Sequence, residues 1–170
     1  MSRVEVPDMT PEEKLNQLID EWQLPLLRTC CMLLGDADLA RDAVQETFVK
    51  VWHALPTFRG ECSEKTWLMR ITINTCRDMK RNAWFRIVDK SISPEDLPEP
   101  SYDPWTEDRE VFSEVLALPL KLREVTLMYY YHNMSTREVA EALRISQPAV
   151  TKRMKAARLR LKSMLKGEDQ

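Results

Sequence analysis

Glycine is scarce in this chain of 170 residues, present only at 35, 60 and 167. That excludes a Gly-rich loop cradling phosphates and argues against a turn-rich β fold. Histidine is scarcer, with only His53 and His132, and the four cysteines (Cys30, Cys31, Cys62, Cys76) show no CxxC spacing. No zinc site, other metal or cofactor is expected from such a set, and the cysteines read as free, mostly buried thiols of a reducing compartment. No Ser/His/Asp or Cys/His grouping invites a catalytic role, so neither an enzyme nor a small-molecule substrate is expected. No apolar run approaches the ~18 residues of a membrane span. The opening MSRVEVPDMTPEEK lacks the apolar centre of a signal peptide, so a cytoplasmic location is expected. Strand alternation and internal repeats are missing too.

Helices fill the space these absences leave. Thr10 and Glu13 make a capping box with Pro11 at the first helical position. The helix that follows carries Leu15, Leu18, Ile19, Trp22, Leu26, Leu27, Cys30 and Leu33 on one broad face, with a kink expected at Pro25. Gly35–Asp38 is a joint, and a second helix runs to Leu55 before Pro56, with Val44, Phe48, Val51, Trp52 and Leu55 as its expected buried stripe. After the loop 56–62, Ser63 caps a third helix over about 64–86, turning Leu68, Ile71, Thr75 and Met79 inward. Residues 93–104 (SPEDLPEPSYDP) hold four prolines and four acids, the composition of an extended, solvated linker. Helices are expected again from about Glu107 to Leu118 and from Leu120 to His132, the Tyr129–Tyr131 run reading as packing. The fold class is therefore all-α: a three-helix bundle within 1–92, a linker over 93–106, and a second helical domain over 107–170.

The second domain ends in the most informative stretch, Ser135–Leu161. Ser135 and Glu138 form another capping box; Val139, Ala140 and Leu143 supply an apolar side. Arg144-Ile145-Ser146 interrupts, and Ser146 caps a further helix with Pro148 in its first turn. Val150, Met154, Ala157, Leu161 and Leu165 recur at helical spacing and should face the core. Between Arg144 and Lys166 stand eight Lys/Arg and no acid. Two short helices across a tight turn, the second basic on its open face, describe a helix-turn-helix DNA reader. The plain alternative is a solvated basic helix.

Charge sharpens the reading. The whole chain is −2, and residues 1–40 hold eight acids against three bases, so the final helix is a lone positive pole. Non-specific DNA affinity grows with the phosphates neutralised. An acidic chain with one basic helix gains little, and something else must deliver it to DNA.

Two blocks now carry a resemblance: residues 38–81, from DLARDAVQETF to INTCRDMKR, and residues 118–161, from LPLKLREVTLMYYYHNM to KAARLRL. In this order, around an acidic linker, they resemble the bacterial RNA polymerase sigma factors of the extracytoplasmic-function (ECF) group of the sigma-70 family. The resemblance implies two domains, regions 2 and 4, a free monomer, and core RNA polymerase and promoter DNA as partners. Region 4 would sit on the −35 element, and region 2 would read and open the −10 element. It also implies an anti-sigma partner and a stress-responsive role.

The carried-over residues follow. Asp42, Gln45 and Glu46 match polymerase-binding positions. Arg59, Gly60 and Glu61 fall in the loop that captures an unstacked −10 base, and Trp67 matches an aromatic supporting strand opening. A stacked base on an indole is worth roughly 1–3 kcal/mol. The equal alternative for Trp67, flanked by Leu68 and Ile71, is core packing. Arg70, Asn74, Arg77, Lys80 and Arg81 would follow the displaced strand or its phosphates. In region 4, Gln147, Thr151, Lys152 and Lys155 are candidates for base edges, and Arg137, Arg153 and Arg158 for phosphates.

The sequence also departs from the family's pattern. Trp67-Leu68 replaces the paired aromatics of housekeeping sigma factors, which implies narrower melting. Arg144 stands where the turn often has glycine, and Pro148-Ala149-Val150 where Gly-Thr-Val is usual. A left-handed Arg144 would cost around 1 kcal/mol. The linker acids Glu95, Asp96, Glu99 and Asp103 suit either a tether or a nucleic-acid mimic in the polymerase channel. The rival classes are a stand-alone regulator, which would dimerise on a palindrome, and a DNA-processing enzyme, which would need a nucleophile or metal cluster.

Overall fold

The structure is a computed structural model and describes residues 8–83 and 109–167. The linker over 93–106, and the ends of the helices expected to reach residue 86 and to start at 107, lie outside them. Seven α-helices are described: α1 Pro11–Leu34, α2 Ala37–Ala54, α3 Glu64–Ala83, α4 Arg109–Ala117, α5 Leu120–Thr126, α6 Thr136–Leu143 and α7 Gln147–Lys166. A 3-10 turn, Leu55–Thr57, follows α2, and a π turn, Leu127–Tyr131, prolongs α5. None of these helices is long and apolar enough to cross a membrane.

The caps read from sequence are present. Thr10 and Glu13 close a capping box on α1, Ser135 and Glu138 close another on α6, and Ser146 Oγ accepts from Ala149 N. Gly35, at φ +67°, ends α1 in the left-handed conformation and returns its N–H to the Cys31 carbonyl. Pro25 sits inside α1 without breaking it. Three buried threonines are tolerated because their hydroxyls donate to the carbonyl four residues back: Thr47 to Ala43 at 2.7 Å, Thr72 to Leu68 at 2.8 Å, Thr126 to Leu122 at 2.7 Å.

α1, α2 and α3 form the expected bundle, and α4 to α7 the second group. The two do not stand apart: one continuous core runs from Leu18, Leu26 and Leu68 through Val125, Leu127 and Met128 to Val150 and Met154. Full burial of each such aliphatic side chain is worth about 1.5–3 kcal/mol. This shared core explains where the amphipathic stripes were drawn too narrowly. The last turns of α1 bury Arg28 through Leu33 on every side, and α3 buries Thr66, Trp67, Met69, Thr72, Ile73 and Cys76 beyond the expected stripe. Two expectations are corrected: Trp52 is 38% exposed and Leu165 is 40% exposed. Each lies near the end of its helix, on the edge of the apolar face.

Candidate polymerase and nucleic-acid interfaces

Asp42, Gln45 and Glu46 are all exposed on α2, on the side opposite the buried Val44, Thr47 and Phe48. Gln45 also borders an apolar groove between α1 and α2, floored by Leu15, Ile19, Val44, Phe48 and Trp52. Carboxylates and an amide beside an apolar groove can take a basic, amphipathic helical partner.

The basic helix α7 is laid out as read. Gln147, Thr151, Lys152, Lys155 and Arg158 are exposed, while Val150, Met154 and Ala157 face the core. Gln147 Nε2 donates to Thr136 Oγ1 at 2.9 Å, which fixes the first side chain of α7 against the start of α6. Arg137 is exposed and pairs with Glu141 at 3.4 Å. Arg153, a phosphate candidate, is half-buried. The turn is made by Arg144 at φ +53° and ψ +45°, so a non-glycine residue does take the left-handed conformation. Tyr130, read as packing, is 44% exposed, and its phenol oxygen accepts from Arg158 Nε at 2.8 Å. That bond raises the Arg158 pKa further and fixes the guanidinium on the flank of α7.

The −10 candidates are divided. Arg59, Gly60 and Glu61 are exposed in the loop before α3, where Gly60 takes φ +74°. Asn74, Lys80 and Arg81 are exposed on α3, Arg81 pairing with Asp78 at 2.5 Å. Three others are engaged within the protein. Trp67 is only 8% exposed and stacks on Phe58 with centroids 4.4 Å apart, so in this conformation it packs the bundle. Arg70 Nη2 donates to the Glu141 carbonyl at 2.8 Å. Arg77 makes a two-pronged bond to Glu124, Nε to Oε1 at 2.8 Å and Nη2 to Oε2 at 2.7 Å. That pairing raises the Arg77 pKa, and Glu124 is just 1% exposed.

Sequence reasoning named none of the partners in this seam. Glu124 belongs to α5, His132 follows the π turn, and Thr29 belongs to α1. His132 Nε2 lies 2.7 Å from Thr29 Oγ1, whose hydroxyl also bonds the Pro25 carbonyl at 2.9 Å. A hydroxyl has one proton, and giving it to Pro25 leaves the His132 ring N–H to donate to Thr29. Burial, and secondly the Lys65 charge, push the His132 pKa from 6.5 to about 3. Lys65 Nζ donates to the His132 carbonyl at 2.7 Å. Arg123 Nη1 donates to the carbonyls of Met32 and Leu33 at 2.9 and 3.2 Å. An unpaired buried carboxylate or imidazole would be costly, so Glu124 inside an apolar stretch was the available signal.

Cys30 and Cys76 meet in the bundle with sulfurs 3.5 Å apart, both buried. The bond with Cys76 and burial raise the Cys30 pKa well above that of a free thiol, which disfavours the reactive thiolate.

Comparison with known proteins agrees with this geometry. Residues 18–86 match the family described as Sigma-70 region 2, and residues 109–161 match Sigma-70, region 4. The ECF RNA polymerase sigma factor SigL of Mycobacterium tuberculosis is 31% identical over 174 residues, covering 96% of this chain and 98% of SigL. A probable RNA polymerase sigma factor of Xanthomonas campestris pv. campestris, RfaY, is 31% identical across 91% of this chain, which spans only 41% of RfaY. The structure of CnrH in complex with the cytosolic domain of CnrY superposes with a TM-score of 0.69 at 27% identity, covering 92% of this chain and 90% of CnrH. The sigma factor RpoE of Bartonella quintana, solved with the anti-sigma factor NepR, shares the fold at a TM-score of 0.72 and 21% identity, over 90% of this chain and 97% of RpoE. The chain belongs to the sigma-70 family, in its extracytoplasmic-function group. Proteins of this family are transcription initiation factors, which direct RNA polymerase to promoters.

Proposed function

We propose that this chain is a cytoplasmic, non-catalytic promoter-specificity subunit that joins core RNA polymerase one to one through Asp42, Gln45 and Glu46. It places α6–α7 on the −35 element and the loop 58–63 with α3 on the −10 element. An anti-sigma factor holds it inactive until a stress signal releases it, a reading supported by analogy with RpoE, solved with the anti-sigma factor NepR. The observation that carries the reading is the placement of the acidic α2 face: fully exposed, beside an apolar groove, and on a different helix from every DNA candidate. Docking and promoter contact can therefore occur together.

Sedimentation of the chain with and without core polymerase tests this. The expected result is a monomer alone and a 1:1 complex with polymerase, abolished in the Asp42→Ala/Gln45→Ala/Glu46→Ala variant. A symmetric dimer indifferent to polymerase would overturn the reading in favour of a stand-alone regulator.

A further inference from the structure

The first residue of α7 is held more firmly than an exposed position at a helix start requires. Ser146 caps the helix by accepting from Ala149 N, and Pro148 fixes the backbone at the second position. Thr151 Oγ1, one turn on, donates to the Gln147 carbonyl at 3.2 Å. The side chain is then tied from outside α7. Gln147 Nε2 donates to Oγ1 of Thr136, the first residue of α6, at 2.9 Å and 11 positions away along the chain. The turn between them is set by the left-handed Arg144, with Ile145 N returned to the Ala140 carbonyl at 3.1 Å. Gln147 is nonetheless exposed, at the end of α7 that a helix-turn-helix presents to base edges in the major groove.

A glutamine amide has two N–H donors and one carbonyl acceptor. One N–H is committed to Thr136, which sets the orientation of the amide. What it offers to a partner is one acceptor, Oε1, beside one donor, the second N–H. The base edges of the major groove differ in this respect. Guanine shows two acceptors, cytosine a donor, thymine an acceptor and a methyl group, and adenine a donor, N6–H, beside an acceptor, N7. Of the four, adenine alone complements the fixed amide.

We infer that Gln147 reads an adenine of the −35 element through two hydrogen bonds, and that Thr136 is the positioning residue that sets this choice by holding the amide in one orientation. The inference rests on the placement of α6–α7 on the −35 element proposed above. Thr136 belongs to neither the base-edge set nor the phosphate set drawn from the sequence; its contact with Gln147 is what brings it into the site.

Substitutions at the two positions have distinct consequences. Thr136→Val keeps the shape but removes the oxygen, so the amide rotates and can aim its N–H groups at guanine. Thr136→Ser keeps the hydroxyl. Gln147→Glu replaces the donor by a second acceptor, to which the Thr136 hydroxyl can donate instead, and an acceptor-only side chain complements the N4–H of cytosine.

The test uses holoenzyme, the full chain with core polymerase, carrying the unaltered chain, Gln147→Ala, Gln147→Glu, Thr136→Val or Thr136→Ser. Both positions lie outside the core, and circular dichroism checks that helicity is retained. Each holoenzyme selects from a pool of duplexes randomised across the −35 element, and the bound fraction is sequenced. Fluorescence anisotropy then gives the Kd ratios for duplexes that differ only at the position affected. The unaltered holoenzyme should prefer adenine there by at least about fivefold. Gln147→Ala should flatten the preference at that position alone, and Gln147→Glu should move it to cytosine. Thr136→Val should cut the adenine preference about threefold, and Thr136→Ser should retain it.

A Gln147→Ala profile identical to the unaltered one would overturn the inference, as would a preference for any base but adenine at the position Gln147 controls. A Thr136→Val variant that weakens binding equally on all four bases would overturn the positioning role, since a merely structural contact acts that way. The pair Lys152→Ala/Lys155→Ala separates these failures from that of the underlying placement. If that pair weakens −35 binding while the Gln147 variants change no base preference, α7 lies on the element and only the adenine assignment falls. If the pair and the Gln147 variants all leave −35 binding intact, the placement falls and the inference goes with it.

Discussion

A single buried imidazole makes the clearest residue-scale prediction. His132 is neutral in the folded protein because its pKa is lowered to about 3, against 6.5 for an exposed histidine. Between these values the unfolded chain takes up a proton that the folded chain refuses, so stability rises with pH through this window. The contribution is complete above about pH 6.5 and shrinks as the pH falls toward 3. From pH 7 to pH 5 the loss should be about 2 kcal/mol. Urea unfolding of the unaltered chain and of His132→Gln at both pH values checks it: the stability gap between them should narrow by that amount at pH 5. Arg144 offers a second case. Its backbone sits at φ +53°, where a β-carbon is strained, so Arg144→Gly should stabilise the fold by about 1 kcal/mol and raise Tm by roughly 2–4 °C, read by calorimetry. The two residues differ in legibility. Arg144 stood out because a turn residue between two capped helices was visible in the sequence. His132 could not be recognised, since its burial depends on Thr29 and Lys65, 103 and 67 positions away along the chain.

At the scale of elements, the helices were legible wherever a local signal closes them. Both capping boxes, the Ser146 cap and the Gly35 terminator are short-range chemistry, and each lies where the side chains put it. Buried faces were less legible. Trp52 and Leu165 fit an apolar stripe but stay partly exposed, while Ile73 and Met69 fell outside the stripe on α3 and are fully covered. A stripe predicts burial against one layer; α3 is packed on two sides. The segment after α5 was less legible again. It closes as a π turn, with the His132 N–H bonding the Leu127 carbonyl at 3.1 Å, and the extra residue brings Tyr130 beneath Arg158. Such turns often accompany function. Tyr130→Phe should keep the fold and remove the acceptor that holds Arg158. The expected effect is about threefold weaker holoenzyme binding to −35 duplex DNA, since a surface hydrogen bond is worth roughly 0.5–1 kcal/mol. Fluorescence anisotropy at fixed salt measures this.

For the whole molecule, the charge map decides how it meets DNA. A chain of net −2 whose cations gather on α7 has little long-range pull on a duplex. The free protein should bind duplex DNA only in the 10⁻⁴–10⁻⁶ M range typical of non-specific contact. With polymerase bound, Arg137→Ala, which removes a proposed phosphate contact, should lower the salt dependence of duplex binding by about one unit in the log–log slope. A salt titration of the two holoenzymes gives the answer. The two-part organisation was legible at this scale because each block carried its own motif. Their mutual burial was not, because no local pattern announces a contact such as Arg77 with Glu124, 47 residues apart. It takes three dimensions to see that α1, α6 and the π turn after α5 each end on a cation from the other half.

Those reciprocal caps bear on how freely the halves can be exchanged. A seam built from matched pairs, Arg77 with Glu124 and Arg123 with the close of α1, makes each half partly the other's scaffold. A hybrid that joins residues 8–83 of this chain to another C-terminal half keeps Arg77 but needs a carboxylate where Glu124 stands. The core beneath the seam, from Leu68 to Val125 and Met154, would have to match as well. The buried seam is thus a property of the pair and of neither half alone.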